Sequence, residues 1–411
     1  MPSRLTALGL IALLGASFGA SQFMRTAPAV LAPELRRELG FSPETLGLVF
    51  GLFFAAFTLV HLPVGALLDR YGPRRVMSAM LLLSAGGTFV FAAGDDAGIL
   101  IAGQILSGLG SSVAFVGGLA VIGRWFPRER FGSMASWLTA AGGIGPILSG
   151  TPFAALVEAI GWRDAWRVGG AALALTALTI LAFVRDAPAG HPFHARAPER
   201  LRDTLKGFGP ILATRQVWGI IALAFAAFAV QLAVRGLWGG PYLADVLGFD
   251  AIGRGNILLG MSVAGTLGAV AFGWLEANGI PRLALILYGT FTVIATYGVF
   301  ALLPSQGDTA TVLLFTFVGL SGPYTILLLA HARALFPDHV TARAVTSVNV
   351  ANFLGVSVMQ IVPGWILGAF STVNGRPPEA AYRTMFGALA AILAVALLVF
   401  LRWGTRSGRA K

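Results

Sequence analysis

LTALGLIALLGASFGASQFMRTAPAVL, residues 5–31, is an apolar run long enough to cross a bilayer, and it carries one full charge, Arg25. Arginine at such depth costs about 2.5–3.5 kcal/mol even on the lenient insertion scale. A chain carrying that cost points the charge at a water-filled interior and uses it. The stretch Ser21-Gln22-Phe23-Met24-Arg25-Thr26-Ala27 therefore predicts two things at once: the chain crosses a membrane, and it holds something polar inside it.

Composition agrees with the first. The chain has 411 residues, 56% of them hydrophobic and 11% charged, and a mean hydropathy of +0.78. A soluble domain would be about 25% charged. The 53 glycines suit helices that pack closely in lipid. With no cysteine, disulfides, thiolate catalysis and cysteine–metal sites are excluded. The net charge of +11 is almost all arginine, since only Lys206 and Lys411 are lysines. These charges fall in short loops between apolar spans, so topology explains them better than nucleic acid does. Arg4, the apolar residues after it and Ala16-Ser17-Phe18-Gly19-Ala20 resemble a signal peptide. The run exceeds the usual apolar region of about 7–15 residues, and it has a counterpart later in the chain, so it reads as a retained span.

Apolar spans fall near 5–32, 44–68, 76–94, 98–123, 131–157 and 165–184, then near 216–243, 254–275, 282–303, 310–333, 342–370 and 381–402. The expectation is an all-α polytopic membrane protein of twelve transmembrane helices in two pseudo-symmetric six-helix bundles, 1–184 and 216–411, with a linker at 185–215. Twenty of the 29 lysines and arginines fall on the side of the two termini and the linker. Seven fall on the other, leaving Arg25 and Arg235 inside spans. That bias puts both termini in the cytoplasm and the chain in the inner (cytoplasmic) membrane. Within the linker, Arg200-Leu201-Arg202-Asp203-Thr204-Leu205-Lys206 reads either as plain linker or as a short basic helix on the membrane surface. His191 and His194 lack further ligands, so no metal is expected, and no cofactor.

The halves repeat at an offset of about 208. Leu39-Gly40-Phe41-Ser42 matches Leu247-Gly248-Phe249-Asp250, and Asp69-Arg70-Tyr71-Gly72 matches Glu276-Ala277-Asn278-Gly279. Gln22-x-x-Arg25 in span 1 is echoed by Gln231-x-x-x-Arg235 in span 7. Parallel repeats of this kind place their site near the midplane where the halves meet.

Gly65-Ala66-Leu67-Leu68-Asp69-Arg70-Tyr71-Gly72-Pro73-Arg74-Arg75 joins spans 2 and 3. It resembles the G-x-L-x-D-R-x-G-R-R loop of the major facilitator superfamily, with Pro73 where a basic residue is common. Motif, loop position, span count and repeat agree over the whole chain. The resemblance implies alternating access, with gating roles for Gly65, Asp69, Arg70, Gly72 and Arg75. In that family the acidic residue at the Asp69 position bridges to a neighbouring helix and latches one state. Arg74 and Arg75 equally serve as topology charges. Span 5 carries Gly142-Gly143-Ile144-Gly145-Pro146-Ile147-Leu148-Ser149-Gly150, which partly matches the family's antiporter motif and gives Gly145 and Pro146 a conformational role. Span 4 departs: the family's R-x-x-x-G is Gln104-Ile105-Leu106-Ser107-Gly108, which weakens a proton-antiport reading.

The resemblance also implies that spans 3, 6, 9 and 12 are peripheral. Larger polar side chains indeed sit elsewhere, at Gln22, Arg25, Gln104, Gln231, Arg235, Asn256, Tyr324, Asn349, Asn352 and Gln360. Gln231, Arg235, Trp238 and Tyr242 recur at four, three and four, one face of an α-helix. Facing Gln22 and Arg25, that stripe would make a cationic centre with aromatic walls. Two arginines about 10 Å apart repel by roughly 1.7 kcal/mol at an effective dielectric near 20, whereas an anion about 5 Å from each gains roughly 3.3 kcal/mol twice. Desolvation offsets much of this, but the sign favours an anion. No Asp or Glu lies inside a span, so intramembrane carboxylate proton carriers are missing. His331 reads as structural or as a proton carrier. Tyr324, after Gly322-Pro323, is a cavity candidate at a bend; Asn349 and Asn352 line the substrate route or bond helix to helix. The alternative for the arginines is snorkelling to the outer surface.

The arginine arrangement is similar to that of the superfamily's organophosphate:phosphate exchangers. The expected function is secondary transport of a small organic anion, carboxylate or phosphorylated, by exchange or proton-linked uptake, with a monomer as the working unit. A drug exporter is the alternative, followed by a nitrate-type carrier or a transporter-like sensor. No nucleophile–base pair suggests an enzyme.

Overall fold

Lipid offers the backbone no hydrogen-bond partners, so a chain of this composition satisfies its amides within helices. The computed structural model describes residues 4–61, 63–188, 214–305, 307–335, 338–373 and 375–405. Most of the expected linker, with Arg200–Lys206, His191 and His194, lies outside the described residues. The described elements are helical throughout, apart from one isolated bridge between Val373 and Arg376.

In chain order the first helices are α1 (Arg4–Thr26), α2 (Pro28–Leu39), α3 (Pro43–His61), α4 (Val64–Tyr71), α5 (Pro73–Ala93), α6 (Ala97–Ser111) and α7 (Val113–Trp125). Then come α8 (Arg128–Gly142), α9 (Ile144–Leu148), α10 (Thr151–Phe183) and α11 (Arg215–Ala233). A π-helical turn, Val234–Trp238, leads into α12 (Gly239–Asp245). After α13 (Ala251–Ala277), α14 (Arg282–Leu302) and α15 (Gly307–Ser321), a 3₁₀ turn, Gly322–Tyr324, precedes α16 (Thr325–Leu335). The last helices are α17 (Asp338–Gly368) and α18 (Glu379–Val399), closed by a π turn, Phe400–Gly404.

Eleven helices or helix pairs among the described residues are long and apolar enough to cross a membrane. The fifth expected span is not one of them, because it is broken. Gly143 separates α8 from α9, Ser149 and Gly150 interrupt it again, and it resumes in the first part of α10. Gly161, at φ +79°, then turns the chain between 151–160 and 162–183. Counted with this interrupted crossing, the spans number twelve.

Packing groups the chain into two compact units: Met1–Ala27 with Leu52–Thr204, and Pro28–Gly51 with Leu205–Lys411. In the first, α5 lies against α6 and α10, and α1 against α8, α9 and α10. Small residues allow the approach: a Cβ on Gly87 would stand 2.6 Å from the Gly103 carbonyl. Phe23, Phe91, Phe153 and Trp166 form its aromatic core. In the second, α11 packs on α17 and α18, α13 on α15, and α2 on α12. Its aromatic core is Tyr242, Phe300, Phe315, Tyr382 and Phe386.

Candidate functional site

Arg25 lies in the last turn of α1, just before the break at Ala27 and Pro28. Pro28 has no N–H, so the carbonyl one turn back loses its helical partner and the helix yields there. The side chain is 6% exposed. Nη1 donates to Gln22 Oε1 at 2.7 Å and Nη2 to Ser21 Oγ at 3.0 Å. Cζ sits 4.5 Å from the Phe57 ring centroid. Helical side chains lean toward the N-terminus, and these partners lie one turn back along α1. The guanidinium is thus held inside the first unit and does not snorkel outward.

Ser21 is itself oriented. Its hydroxyl donates to the Ser111 carbonyl at 3.0 Å, available because α6 ends there and α7 begins after Ser112. Ser111 Oγ in turn bonds Ser84 Oγ at 2.9 Å. A chain of buried hydroxyls thus connects Arg25 through α6 to α5.

The Gly-Pro motif supports α1 from the other side. A Cβ on Gly145 would strike the Gly19 carbonyl, and one on Gly142 the Phe18 ring. Thr26 Oγ1 and Ser149 Oγ are 2.7 Å apart, so the broken ends of both helices share a hydrogen bond. Pro146 is buried beside them.

In the second unit, Arg235 lies within the π turn Val234–Trp238, where the Gly239 amide reaches back to the Val234 carbonyl. Pro241, lacking an N–H, frees the Leu237 carbonyl a turn earlier. Arg235 is half-buried and has no hydrogen bond or ion pair among the described residues; its Nη1 lies beside Gly265 on α13. Gln231 Nε2 donates to the Gly322 carbonyl at 3.3 Å. The expected stripe of Gln231, Arg235, Trp238 and Tyr242 does not survive. A π turn holds one extra residue, which rotates every later side chain by about 100°. Trp238 is fully enclosed and donates Nε1 to the Gln360 carbonyl at 3.1 Å. Tyr242 joins the aromatic core.

Tyr324 is fully buried in the 3₁₀ turn, its ring against Gly289 and near Phe272. Asn349 is half-buried and Asn352 buried on α17. His331 Nε2 is 3.0 Å from the Gly404 carbonyl, at the end of the last span.

The loop between α4 and α5 is built around Asp186. Gly72 has φ +82°, and a Cβ there would meet the Asp186 carboxylate at 2.5 Å. The Arg74 amide donates to that carboxylate at 2.7 Å. Asp69 pairs with Arg124 at the end of α7, 3.2 Å away. Arg70 stacks on Tyr71, Arg75 is exposed, and Gly65 has open space around it.

Ser21, Phe57 and Ser111 were not among the expected site residues. Ser21 adjoins Gln22 and so carried a signal; Phe57 and Ser111 carried none.

The sequence profile of the Major Facilitator Superfamily matches residues 12–355. The chain belongs to this superfamily. Among curated relatives, the probable sulfoacetate transporter SauU of Cupriavidus necator is 26% identical over 255 residues, 59% of this chain and 59% of that protein. The gentisate transporter of Corynebacterium glutamicum is 23% identical over 401 residues, 90% of this chain and 82% of that one. Among solved structures, a bacterial homologue of the human lysosomal transporter Spinster, inward-facing and occupied, superposes with a TM-score of 0.80. It is 18% identical, over 99% of this chain and 98% of that one, and supports the superfamily fold.

Proposed function

We propose that this superfamily member is a secondary active transporter of a small organic anion, working by alternating access as an exchanger or by proton-linked uptake. The observation that carries the reading is Arg25. Its guanidinium is buried in a membrane span, on a broken helix, and Gln22 and Ser21 hold it in a fixed orientation. A buried guanidinium held in a fixed orientation presents a fork that suits an oxyanion. Arg235, on the repeat-related helix and likewise at an irregular turn, is the proposed second ligand. Gln22, Gln231, Asn349 and Asn352 are proposed to add hydrogen bonds along the route. The names of the relatives point the same way, since sulfoacetate and gentisate are both organic anions. The bias of the topology charges supports an inner-membrane location with both termini cytoplasmic, and we take the monomer as the working unit.

The test is counterflow in proteoliposomes loaded with sulfoacetate, gentisate or short dicarboxylates. Arg25→Ala and Arg235→Ala are each expected to abolish counterflow of whichever anion the wild type carries. Undiminished transport in both variants refutes the site.

A further inference from the structure

The second unit contains a separate charged pocket of about 300 Å³, partly open to solvent. Four arginines line it, Arg36, Arg37, Arg254 and Arg376, against two carboxylates, Glu34 and Asp245. Both carboxylates are already engaged. Asp245 accepts from both Nη atoms of Arg36, and its Oδ2 also accepts from the Tyr382 hydroxyl at 2.6 Å. Glu34 takes Arg254 on one oxygen, at 3.3 Å, and Arg37 on the other. Nearby Asp250 is occupied in capping α13 through the Gly253 amide at 2.7 Å.

The donors are not used up in the same way. Arg254, 7% exposed, gives Nη1 to the Phe249 carbonyl and Nη2 to Glu34. Its buried Nε has no acceptor among the described residues. Arg37 is largely exposed, and Arg376 makes one long bond, 3.5 Å, to the Ala244 carbonyl. The lining therefore carries an excess of two positive charges, one when the neighbouring Asp250 is included, and several uncommitted N–H groups. A concave site with a net charge of one sign concentrates ions of the other sign. Guanidinium forks select oxyanions among them.

We propose that this pocket is a second anion site, which binds a small organic dianion and concentrates it at the surface of the second unit. In the orientation proposed above it opens on the outer face. It rests on the anion reading only for the ligand's class, because its charge excess is a property of the pocket itself.

The test uses full-length protein in detergent, titrated with sodium malonate against sodium chloride of equal ionic strength and followed by thermal shift. Arg25→Gln/Arg235→Gln is expected to keep a saturable malonate response. Adding Arg37→Gln/Arg376→Gln to it is expected to weaken that response by about tenfold. Gel filtration checks that each variant is folded, and Arg37 is exposed enough for its loss to leave the fold intact. In proteoliposomes, Arg37→Gln/Arg376→Gln alone is expected to raise KM at low ionic strength, to leave kcat unchanged, and to match wild type at high salt. Absence of any malonate response in Arg25→Gln/Arg235→Gln, or an unchanged response after the Arg37 and Arg376 substitutions, overturns the second site. Neither result bears on the Arg25 site, whose own failure shows as undiminished counterflow in the alanine variants.

Discussion

Replacing Asp245 by Asn removes one carboxylate charge and almost no volume. Asp245 is 1% exposed and its partner Arg36 is 16% exposed, so water screens little of the loss. The Arg36 guanidinium, hydrogen-bonded to Asp245 at 2.7 Å, would stay in place without its counter-charge, and the buried Tyr382 hydroxyl would lose an ionised acceptor. Burial on its own would lower the proton affinity of Arg36, but the hydrogen bond and charge of Asp245 outweigh it and raise it overall. The carboxylate is therefore the dominant partner. Breaking one side of such a buried pair costs about 3–5 kcal/mol. Replacing both sides with apolar groups of similar volume is often neutral or stabilising by about 1–4 kcal/mol. Arg36→Met/Asp245→Leu should therefore be more stable than Asp245→Asn alone, a reversal that additivity does not allow. Apparent melting temperature in detergent, read by tryptophan fluorescence and by size-exclusion recovery, measures both variants. A single variant that melts with the wild type, or a double variant that melts below the single, refutes the reasoning.

Two further expectations concern glycines and a histidine. Gly145→Val should lower both recovery of folded protein and uptake, because its side chain would enter the Gly19 backbone, whereas Gly65→Ala, with nothing within 4 Å, should leave the melting temperature unchanged. Overpacking of this kind costs about 1–3 kcal/mol, and paired melting and uptake measurements on the two variants check it. His331→Gln should keep the hydrogen bond to the Gly404 carbonyl through its amide N–H and should therefore leave the pH profile of uptake unchanged. A displaced profile would make His331 a proton carrier.

Apolar runs made the spans legible, since nothing else in a protein needs so long a stretch without charge. The bends were partly legible through Pro146 and Pro323, each of which removes a backbone donor; the break at Pro28 was not anticipated. The π turn at Val234–Trp238 was not, and the register of the Arg235 stripe failed with it. Period-based reasoning assumes 3.6 residues per turn, and one inserted residue moves every later side chain to another face. Arg25 announced itself by its cost. Its partner Ser21 depends on a carbonyl freed by the interruption between α6 and α7, where no proline marks the chain. The Arg36–Asp245–Tyr382 cluster was invisible for a different reason. Its members are 209 and 137 residues apart, and each taken alone is an ordinary loop or helix-end residue.

The repeat survives in the architecture but not in the surroundings of its two arginines. Both lie where their helix loses its regular hydrogen bonding, one before Pro28 and one within a π turn, and both helices resume as shorter segments, α2 and α12. Arg25 is fixed by Ser21, Gln22 and the Phe57 ring. Arg235 has no hydrogen bond or ion pair among the described residues. An arginine side chain has about 2 kcal/mol of rotamer entropy to lose when it is immobilised. Arg25 has lost most of that already on folding, so an anion meeting it encounters a pre-organised ligand. Arg235, without such hydrogen bonds among the described residues, has more of it left to lose. In the proposed site Arg25 is therefore the pre-organised ligand, and Arg235 is the one with hydrogen-bonding capacity still uncommitted among the described residues.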